Sequence, residues 1–366
     1  MPHAPDFTPP DLTPPANPAE LDPAPTQPAA PPFSAQHIFF GREGLRAGWS
    51  LLLYLAILAA LFACIGLIAS KLHRVSAQAP PAQTQPAETP PKSAVESIAS
   101  KPIPLHLALL SEGSEFLCVA IATWIMARIE RRPIAAFGFA PRRGLRNFVA
   151  GLAWGLAFLS LLVFTLRASG LLVFDARLLF GRAILGYSLA WFAAFLLVGL
   201  FEEYFTRGYL QFTLTRGISA IYSWLFKVKT PRATALGFWT AALLLSVGFG
   251  LSHTANPGES PIGELSAALI ALVFCLSLWR TGSLWWAIGF HAAWDWAQSF
   301  LYGVADSGTL IEHRLFATHP VGRALLSGGL TGPEGSIYIL AILALVTGVV
   351  LLTLPRTSAP MPTGQP

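Results

Sequence analysis

The stretch AWFAAFLLVGLFEEYFTRGYLQ, residues 190–211, joins a long apolar run to two adjacent acids and an arginine. The run is apolar enough to lie in lipid, yet Glu202, Glu203 and Arg207 follow it directly. A charged side chain at the centre of a membrane helix costs about 2.5–3.5 kcal/mol, even on the insertion scale that penalises it least. These residues are therefore expected to have a partner or a function inside the protein.

The composition of the whole chain is that of a membrane protein. Of its 366 residues, 54% are hydrophobic and only 12% are charged, and the mean hydropathy is +0.56. A soluble domain is usually about 25% charged. A membrane-spanning helix needs about 20 apolar residues, and about eight stretches approach or exceed that length. They cover residues 47–70, 105–127, 147–169, 184–206, 233–253, 262–279, 283–304 and 335–353. We therefore predict an all-α, polytopic membrane protein of about eight transmembrane helices with a polar intramembrane cavity.

The basic residues predict an orientation in the membrane. With the N-terminus in the cytoplasm, 15 of the 24 Lys and Arg fall on the inner side, Arg207 among them, and the densest short loop, 128–146, is also inside. By the positive-inside rule both termini are then cytoplasmic. The net charge of +5 indicates attraction to anionic lipid headgroups rather than to nucleic acid. We predict an integral, multi-pass protein of a bacterial plasma membrane whose partners include the lipid bilayer.

The chain is predicted to fall into five parts. Residues 1–36 are rich in Pro and Ala and are read as a disordered cytoplasmic tail, because they cannot bury enough apolar surface to fold. Residues 37–74 hold the first transmembrane helix, which is expected to be retained rather than cleaved as a signal peptide. A second Pro/Ala-rich segment, 75–104, is a linker. Residues 105–304 form the core, and residues 305–366 hold the last loop, a final transmembrane helix and a short tail.

Polar residues lie inside three of the predicted spans. Glu203 and Arg207 are four residues apart and share one face of a helix, whereas Glu202 is rotated by about 100°. We therefore expect Glu203 to be paired and Glu202 to be free to exchange a proton. His253 stands alone at the end of the fifth span. In the seventh span His291 and Asp295 are four residues apart on one face.

Each of these clusters also has a purely structural interpretation. The Glu–Arg pair can hold helices together, His253 can be an interhelical hydrogen-bonding residue, and His291 with Asp295 can clamp two helices. The chain has no H-E-x-x-H zinc helix and no G-x-S-x-G serine motif. Water activated by glutamate and histidine, with or without a metal, is the chemistry that remains.

These residues together resemble a known family, the CAAX protease and bacteriocin-processing (CPBP) intramembrane endopeptidases, which includes the type II CAAX prenyl endopeptidases. The E-E-x-x-x-R motif is matched from Glu202 to Arg207, F-x-x-x-H from Phe249 to His253, and the Asp variant of H-x-x-x-N from His291 to Asp295. The resemblance is tight over about residues 190–300 and does not cover residues 1–104 or the last span.

The resemblance implies an all-helical membrane protease that cleaves a peptide bond in a membrane-associated peptide or protein. Glu202 with His253 would activate the water, and Glu203 with Arg207 would support the site. His291 and residue 295 would polarise the scissile carbonyl or stabilise its oxyanion. Because an ionised aspartate repels an oxyanion, Asp295 must be protonated, orient His291 or bind a metal.

The sequence leaves one alternative for the cofactor and two for the function. No cofactor is expected, although Zn²⁺ held by Glu202, His253, His291 and Asp295 is the alternative. The alternative to an endopeptidase is a non-catalytic membrane scaffold or a bacteriocin-immunity-type member of the same family. A proton-coupled transporter is disfavoured because the chain has no inverted repeat. Glu112 and Glu115 of the second span either line the cavity or lie near the outer interface.

Overall fold

The structure, a computed structural model, describes residues 36–41, 44–77, 102–139 and 143–355. Most of the predicted tail 1–36 and most of the predicted linker 75–104 lie outside these residues. The long helices are α1 Ala47–Ala77, α2 Leu105–Ile129, α3 Gly144–Ala168, α4 Arg182–Glu203, α5 Gln211–Leu225, α6 Thr230–Ser252, α7 Pro261–Thr281, α8 Trp285–Trp296 and α9 Tyr338–Thr353. Two π-helical segments, Tyr204–Leu210 and Ala297–Leu301, follow α4 and α8.

The remaining elements are short. A two-stranded antiparallel sheet pairs β1 Leu172–Arg177 with β2 Phe316–Pro320, so that Leu172 faces Pro320 and Arg177 faces Phe316. A small hairpin, two four-residue α-helices and three 3-10 helices complete the described elements. The hairpin pairs Phe40–Gly41 with Gly44–Leu45, the α-helices are Gln36–Phe39 and Ala324–Ser327, and the 3-10 helices are Ile134–Phe137, His253–Ala255 and Pro333–Gly335. The protein is therefore an all-α polytopic membrane protein, as its composition predicts.

The lengths of the helices agree with most of the predicted spans. Among the described residues, six helical stretches are long and apolar enough to cross a membrane. The last predicted span, α9, has 16 residues, and α8 has 12 before its π-helical continuation. Helix α8 is buried against α3 and α4 over most of its length. A helix enclosed by protein in this way does not have to match the thickness of the bilayer on its own.

The fourth span differs from the prediction. It was expected to end at about residue 206, but helical structure continues from Arg182 through the π-helical segment to Leu225, over 44 residues. Arg207, counted above among the cytoplasmic positive charges, is consequently buried in the bundle with 1% of its surface exposed. The reason is its ion pair with Glu203, which neutralises both charges inside the protein.

Glycines let α8 approach its neighbours closely. A Cβ added at Gly155 of α3 would overlap the carbonyl oxygen of Phe290 in α8. From the other side, a Cβ at Gly289 would overlap the carbonyl oxygen of Phe148 in α3. Small residues at such crossings are the usual way in which membrane helices pack at short range. This packing holds His291 of α8 at a fixed position opposite α4.

Replacing Gly155 by Ala is expected to lower the free energy of unfolding by about 1–3 kcal/mol, because the added methyl group must push two backbones apart. Thermal unfolding in detergent measures the effect. The matched control is Gly248→Ala in α6, where no heavy atom lies within 4 Å of an added Cβ. Equal melting temperatures for the two variants would contradict the close packing of α3 on α8.

Candidate active site

Glu203 and Arg207 form a buried ion pair at the end of α4. The Arg207 Nη1 atom lies 2.9 Å from Glu203 Oε1, and the two side chains are 1% and 0% exposed. The same Nη1 also donates to Thr206 Oγ1 at 2.9 Å. The guanidinium lies over the ring of Phe249, 4.5 Å from its centroid, which is a cation–π contact. Arg207 is thus held by an acid, a hydroxyl and an aromatic face.

His291 joins the first and third motifs. Its Nδ1 lies 3.0 Å from Glu203 Oε1, so that Glu203 accepts from both His291 and Arg207. Its Nε2 faces two further carboxylates, with Asp295 Oδ2 at 3.4 Å and Glu202 Oε2 at 3.7 Å. The structure therefore brings five of the six predicted site residues into one connected group around a single imidazole.

Glu202 is the accessible acid of the adjacent pair. Its side chain is 26% exposed, whereas that of Glu203 is fully buried. Glu202 lines an internal cavity, and its backbone carbonyl accepts a hydrogen bond from Thr206 Oγ1. The two neighbouring glutamates thus occupy different environments, one inside the ion-paired network and one open to the cavity.

His253 lies on the wall of the same cavity but stands apart from the acids. Its Nδ1 lies 2.8 Å from the carbonyl oxygen of Phe249, one helical turn earlier. Because a carbonyl oxygen can only accept, Nδ1 carries the proton, and the Nε2 of the neutral ring is left as an acceptor. Within the described part of the chain, no hydrogen bond links His253 to Glu202.

The cavity has a volume of about 300 Å³ and is lined by residues of α2, α4, α6, α7, α8 and α9. Glu202, His253, His291 and Asp295 all contribute to its wall, together with Trp191 and Phe274 among the aromatic residues. Glu112 of α2 also lines the cavity, which is one of the two positions expected for it from the sequence. Glu115 does not appear on this wall and instead accepts a hydrogen bond from Ser111 at 3.1 Å.

Two further acids line the cavity, and sequence analysis did not single them out. Asp306 and Glu334 belong to the long loop between α8 and α9. Asp306 accepts a hydrogen bond from Ser299 at 3.1 Å, and Glu334 accepts one from Trp294 at 2.7 Å. This wall therefore extends past residue 304, where the predicted core ends.

Gly308 shows that this loop packs closely on the helix bundle. Gly308 has a φ of +81°, and a Cβ there would overlap the carbonyl oxygen of Pro257 in the turn between α6 and α7. Only glycine fits a positive φ at such a close approach. In the sequence, Gly308 directly after Asp306 and Ser307 was therefore the available indication of a tight turn near these acids.

The carboxyl group of Asp306 gives the protein a dependence on pH. Burial raises the pKa of Asp306 well above its ordinary value, and the nearby carboxylates of Asp295 and Glu334 add to this effect. The folded protein therefore keeps a proton that the unfolded chain loses as the pH rises. The free energy of unfolding is highest below the ordinary aspartate pKa of about 4 and falls as the pH rises toward the raised pKa.

Asp306→Asn is expected to remove this part of the decline in stability above about pH 4, because asparagine does not ionise. Its side-chain oxygen can still accept from Ser299. Melting temperatures of the variant and the wild type across this pH range provide the measurement, with Glu264→Gln as the control, a partly exposed carboxylate in the first turn of α7 that does not line the cavity. An unchanged slope in Asp306→Asn would show that another group is responsible.

The side chains around His291 are a poor donor set for a metal ion. Only one imidazole, that of His291, is grouped with the carboxylates of Glu202 and Asp295, and its Nδ1 is engaged by Glu203. His253, the second predicted imidazole ligand, makes its contact with a backbone carbonyl instead. Among the described residues no group of three or more His, Cys, Asp or Glu side chains is arranged to hold a metal. The residues as placed do not fit a resident Zn²⁺ ion.

A family model matches the part of the chain that carries the three motifs. Residues 184–297, which include all three motifs, match the family model described as type II CAAX prenyl endopeptidase Rce1-like. Searches of curated proteins and of solved structures each found no match. From α4 to the start of the second π-helical segment, the chain is therefore similar to the Rce1-like CAAX proteases.

Proposed function

We propose that this protein is an intramembrane endopeptidase that hydrolyses a peptide bond in a membrane-associated peptide or protein. The observation that carries the proposal is the convergence of Glu202 and Asp295 on the Nε2 of His291, at the wall of a cavity that His253 also lines. A match to a family described as an endopeptidase supports the same conclusion.

Glu202 is proposed as the general base. It is the acid of the motif with access to the cavity, and its partner Glu203 is already engaged by Arg207 and His291. Glu202 takes a proton from water as the water oxygen bonds to the scissile carbonyl carbon. It then gives that proton to the leaving nitrogen as the carbon–nitrogen bond breaks, which yields an acid and an amine. The unprotonated Nε2 of His253 accepts a hydrogen bond from the same water.

Glu203 and Arg207 are proposed as positioning residues. Arg207 holds Glu203 in place, and Glu203 accepts from the Nδ1 of His291. The opposite nitrogen of the ring is thereby directed toward Glu202 and Asp295. This arrangement resembles other sites in which a carboxylate fixes the orientation of a functional histidine.

His291 and Asp295 are proposed to stabilise the oxyanion. Three carboxyl groups face two basic groups in this network, those of His291 and Arg207. One carboxyl proton balances these charges, and we place it on Asp295. A protonated Asp295 donates a hydrogen bond to the developing oxyanion, as the more common asparagine would, together with the Nε2–H of His291. The mechanism requires no metal.

The orientation proposed from the basic residues predicts the face of the membrane to which the cavity opens. Cavity residues lie in the first half of α2, in α4, at the end of α6 and at the start of α7, far from the basic loop around Arg128–Arg146. With the basic loop in the cytoplasm, the cavity opens toward the outer face. The substrate is then a peptide segment that enters from the outer leaflet or the outer solution.

Reconstitution tests this function. The wild-type protein in liposomes is incubated with a library of fluorogenic membrane peptides, with and without a strong metal chelator. We expect cleavage of a subset of the peptides at a rate that the chelator does not change. Loss of cleavage with the chelator and its recovery with Zn²⁺ would overturn the metal-free mechanism. Folded protein that cleaves no member of the library would count against the endopeptidase and favour the scaffold.

A further inference from the structure

A short segment before α2 forms part of the wall of the proposed active-site cavity. Its Ile103 pairs with Ile311, in the loop between α8 and α9, as a single parallel β-bridge. The Ile103 amide donates to the Leu310 carbonyl at 2.8 Å, and the Ile103 carbonyl accepts from the Glu312 amide at 3.0 Å. Both isoleucines line the cavity. The function proposed above assigns this bridge no role.

The loop side of the bridge is held in place by the helix bundle. The indole of Trp191 in α4 donates to the Glu312 carbonyl at 3.0 Å. The Leu315 amide donates to the carbonyl of Phe300 at 2.8 Å. Ile311 itself is 4% exposed and packs in one cluster with Trp191 and Phe300. The loop therefore presents a fixed backbone edge at the cavity.

The Ile103 side of the bridge is held by fewer contacts. Pro102 and Pro104 flank Ile103, and because proline has no amide hydrogen, only Ile103 can donate to a neighbouring strand here. The Pro104 carbonyl accepts from the amides of Leu107 and Ala108 in the first turn of α2, at 3.0 and 3.1 Å. The two hydrogen bonds of Ile103 can thus be broken without unwinding the start of α2.

A backbone edge of this kind is suited to an extended peptide. A peptide that pairs with a strand edge forms main-chain hydrogen bonds whatever its sequence, and a pocket for its side chains adds selectivity. Glu202 follows Trp191 by 11 residues on α4, which is about 16 Å along the helix axis. An extended chain covers that distance in about five residues. A peptide on the edge can therefore reach the proposed general base.

We infer that the backbone edge of Leu310 and Glu312 receives the extended substrate, and that Ile103 occupies this edge until the substrate replaces it. The inference rests on the endopeptidase proposed above, because it states how the substrate of that enzyme is held. The substrate residue that replaces Ile103 is aliphatic, since it faces Ile311 and shares the wall with Ala108. Competition from Ile103 lowers the apparent affinity for the substrate.

A disulfide tests whether Ile103 has to leave the edge. Residues paired across a β-bridge have Cα separations that a disulfide can span. The test protein carries Ile103→Cys and Ile311→Cys, together with Cys64→Ser, because Cys64 is exposed whereas the other two cysteines are buried. The matched control is a disulfide from Val173→Cys and His319→Cys, which are paired between β1 and β2 and do not line the cavity.

The measurement is the binding of fluorescently labelled membrane peptides to the full-length protein in detergent, in a Glu202→Gln background so that no peptide is cleaved. We expect the reduced protein to bind a subset of the peptides and the oxidised protein to bind them about tenfold or more weakly. A reductant should restore the affinity, and the control disulfide should not change it. Equal affinities of the oxidised and reduced forms would overturn the inference, as would a reduced form that binds no peptide. Peptides that bind as expected but are never cleaved by the wild type would count against the endopeptidase alone.

Ile103→Ala distinguishes a replaceable occupant from a fixed part of the wall. The smaller side chain holds the segment less firmly, so that we expect peptides to bind about threefold more tightly, with the cleavage rate at saturation unchanged. Weaker binding by this variant would mean that the substrate lies on Ile103 rather than replacing it, and would overturn the inference. Leu107→Ala, at an exposed position of α2 outside the cavity, is the control and should bind like the wild type.

Discussion

Replacement of Glu202 by Gln is expected to lower the rate of peptide cleavage by about 10²–10⁴-fold, the usual contribution of a general base. Glutamine has nearly the same shape as glutamate and cannot take a proton from water. Because Glu202 faces the cavity and its side chain forms no hydrogen bond with the protein among the described residues, the fold should be unaffected. The rate is measured in liposomes with any peptide that the wild type cleaves.

The matched control for this variant is Glu115→Gln. Glu115 is also a partly buried carboxylate in a membrane helix, but it does not line the cavity and is bonded to Ser111. We expect Glu115→Gln to cleave at close to the wild-type rate and both variants to keep the wild-type melting temperature. A Glu202→Gln variant that cleaves as fast as wild type would assign water activation to another group, with His253 as the first to examine.

Replacement of Arg207 by Met is expected to lower the free energy of unfolding by about 3–5 kcal/mol, because it leaves the Glu203 carboxylate buried without its counter-ion. Methionine fills much of the volume between Phe249 and Phe274, so that loss of the charge is the main change. Denaturation in mixed detergent measures the effect. Arg323→Met, at an exposed position outside the site, is the control for loss of an arginine.

A double-mutant cycle separates the stability of the ion pair from its role in the site. Glu203→Gln with Arg207→Met removes both charges and should recover most of the lost stability. It should not recover cleavage, since the Nδ1 of His291 then faces a neutral amide rather than the carboxylate that orients it. Full recovery of cleavage by the double variant would show that the pair serves the fold alone.

Local sequence patterns predicted the helices well. The second span was expected at 105–127 and is found at Leu105–Ile129, and the fifth was expected at 233–253 and is found at Thr230–Ser252. An apolar run long enough to cross a membrane has to satisfy its own backbone hydrogen bonds, so that its helical state depends little on the rest of the chain. The Glu203–Arg207 pair was predictable for the same reason, because four residues along one helix already bring the side chains together.

The continuation of the fourth span to Leu225 was not predictable in this way. An arginine after an apolar run usually marks the cytoplasmic end of a membrane helix. Arg207 is instead buried, because the Glu203 carboxylate neutralises its charge. Which of these applies depends on whether neighbouring helices enclose the pair. Phe249 of α6 and Phe274 of α7, which lie far along the chain, supply that enclosure.

The sequence by itself determined the class of the protein, the positions of its membrane helices and the identity of the polar residues within them, because these depend on hydrophobicity and on spacing along a single helix. Only the tertiary structure decided that His291 bonds to Glu203 while His253 stands apart, and that Asp306 and Glu334 line the cavity. Those contacts follow from the close crossing of α3 and α8 at Gly155 and from the packing of a long loop on the bundle. The first contact joins Gly155 to Phe290, and the second joins Gly308 to Pro257. These residues are far apart along the chain, and no local sequence pattern specifies that they meet.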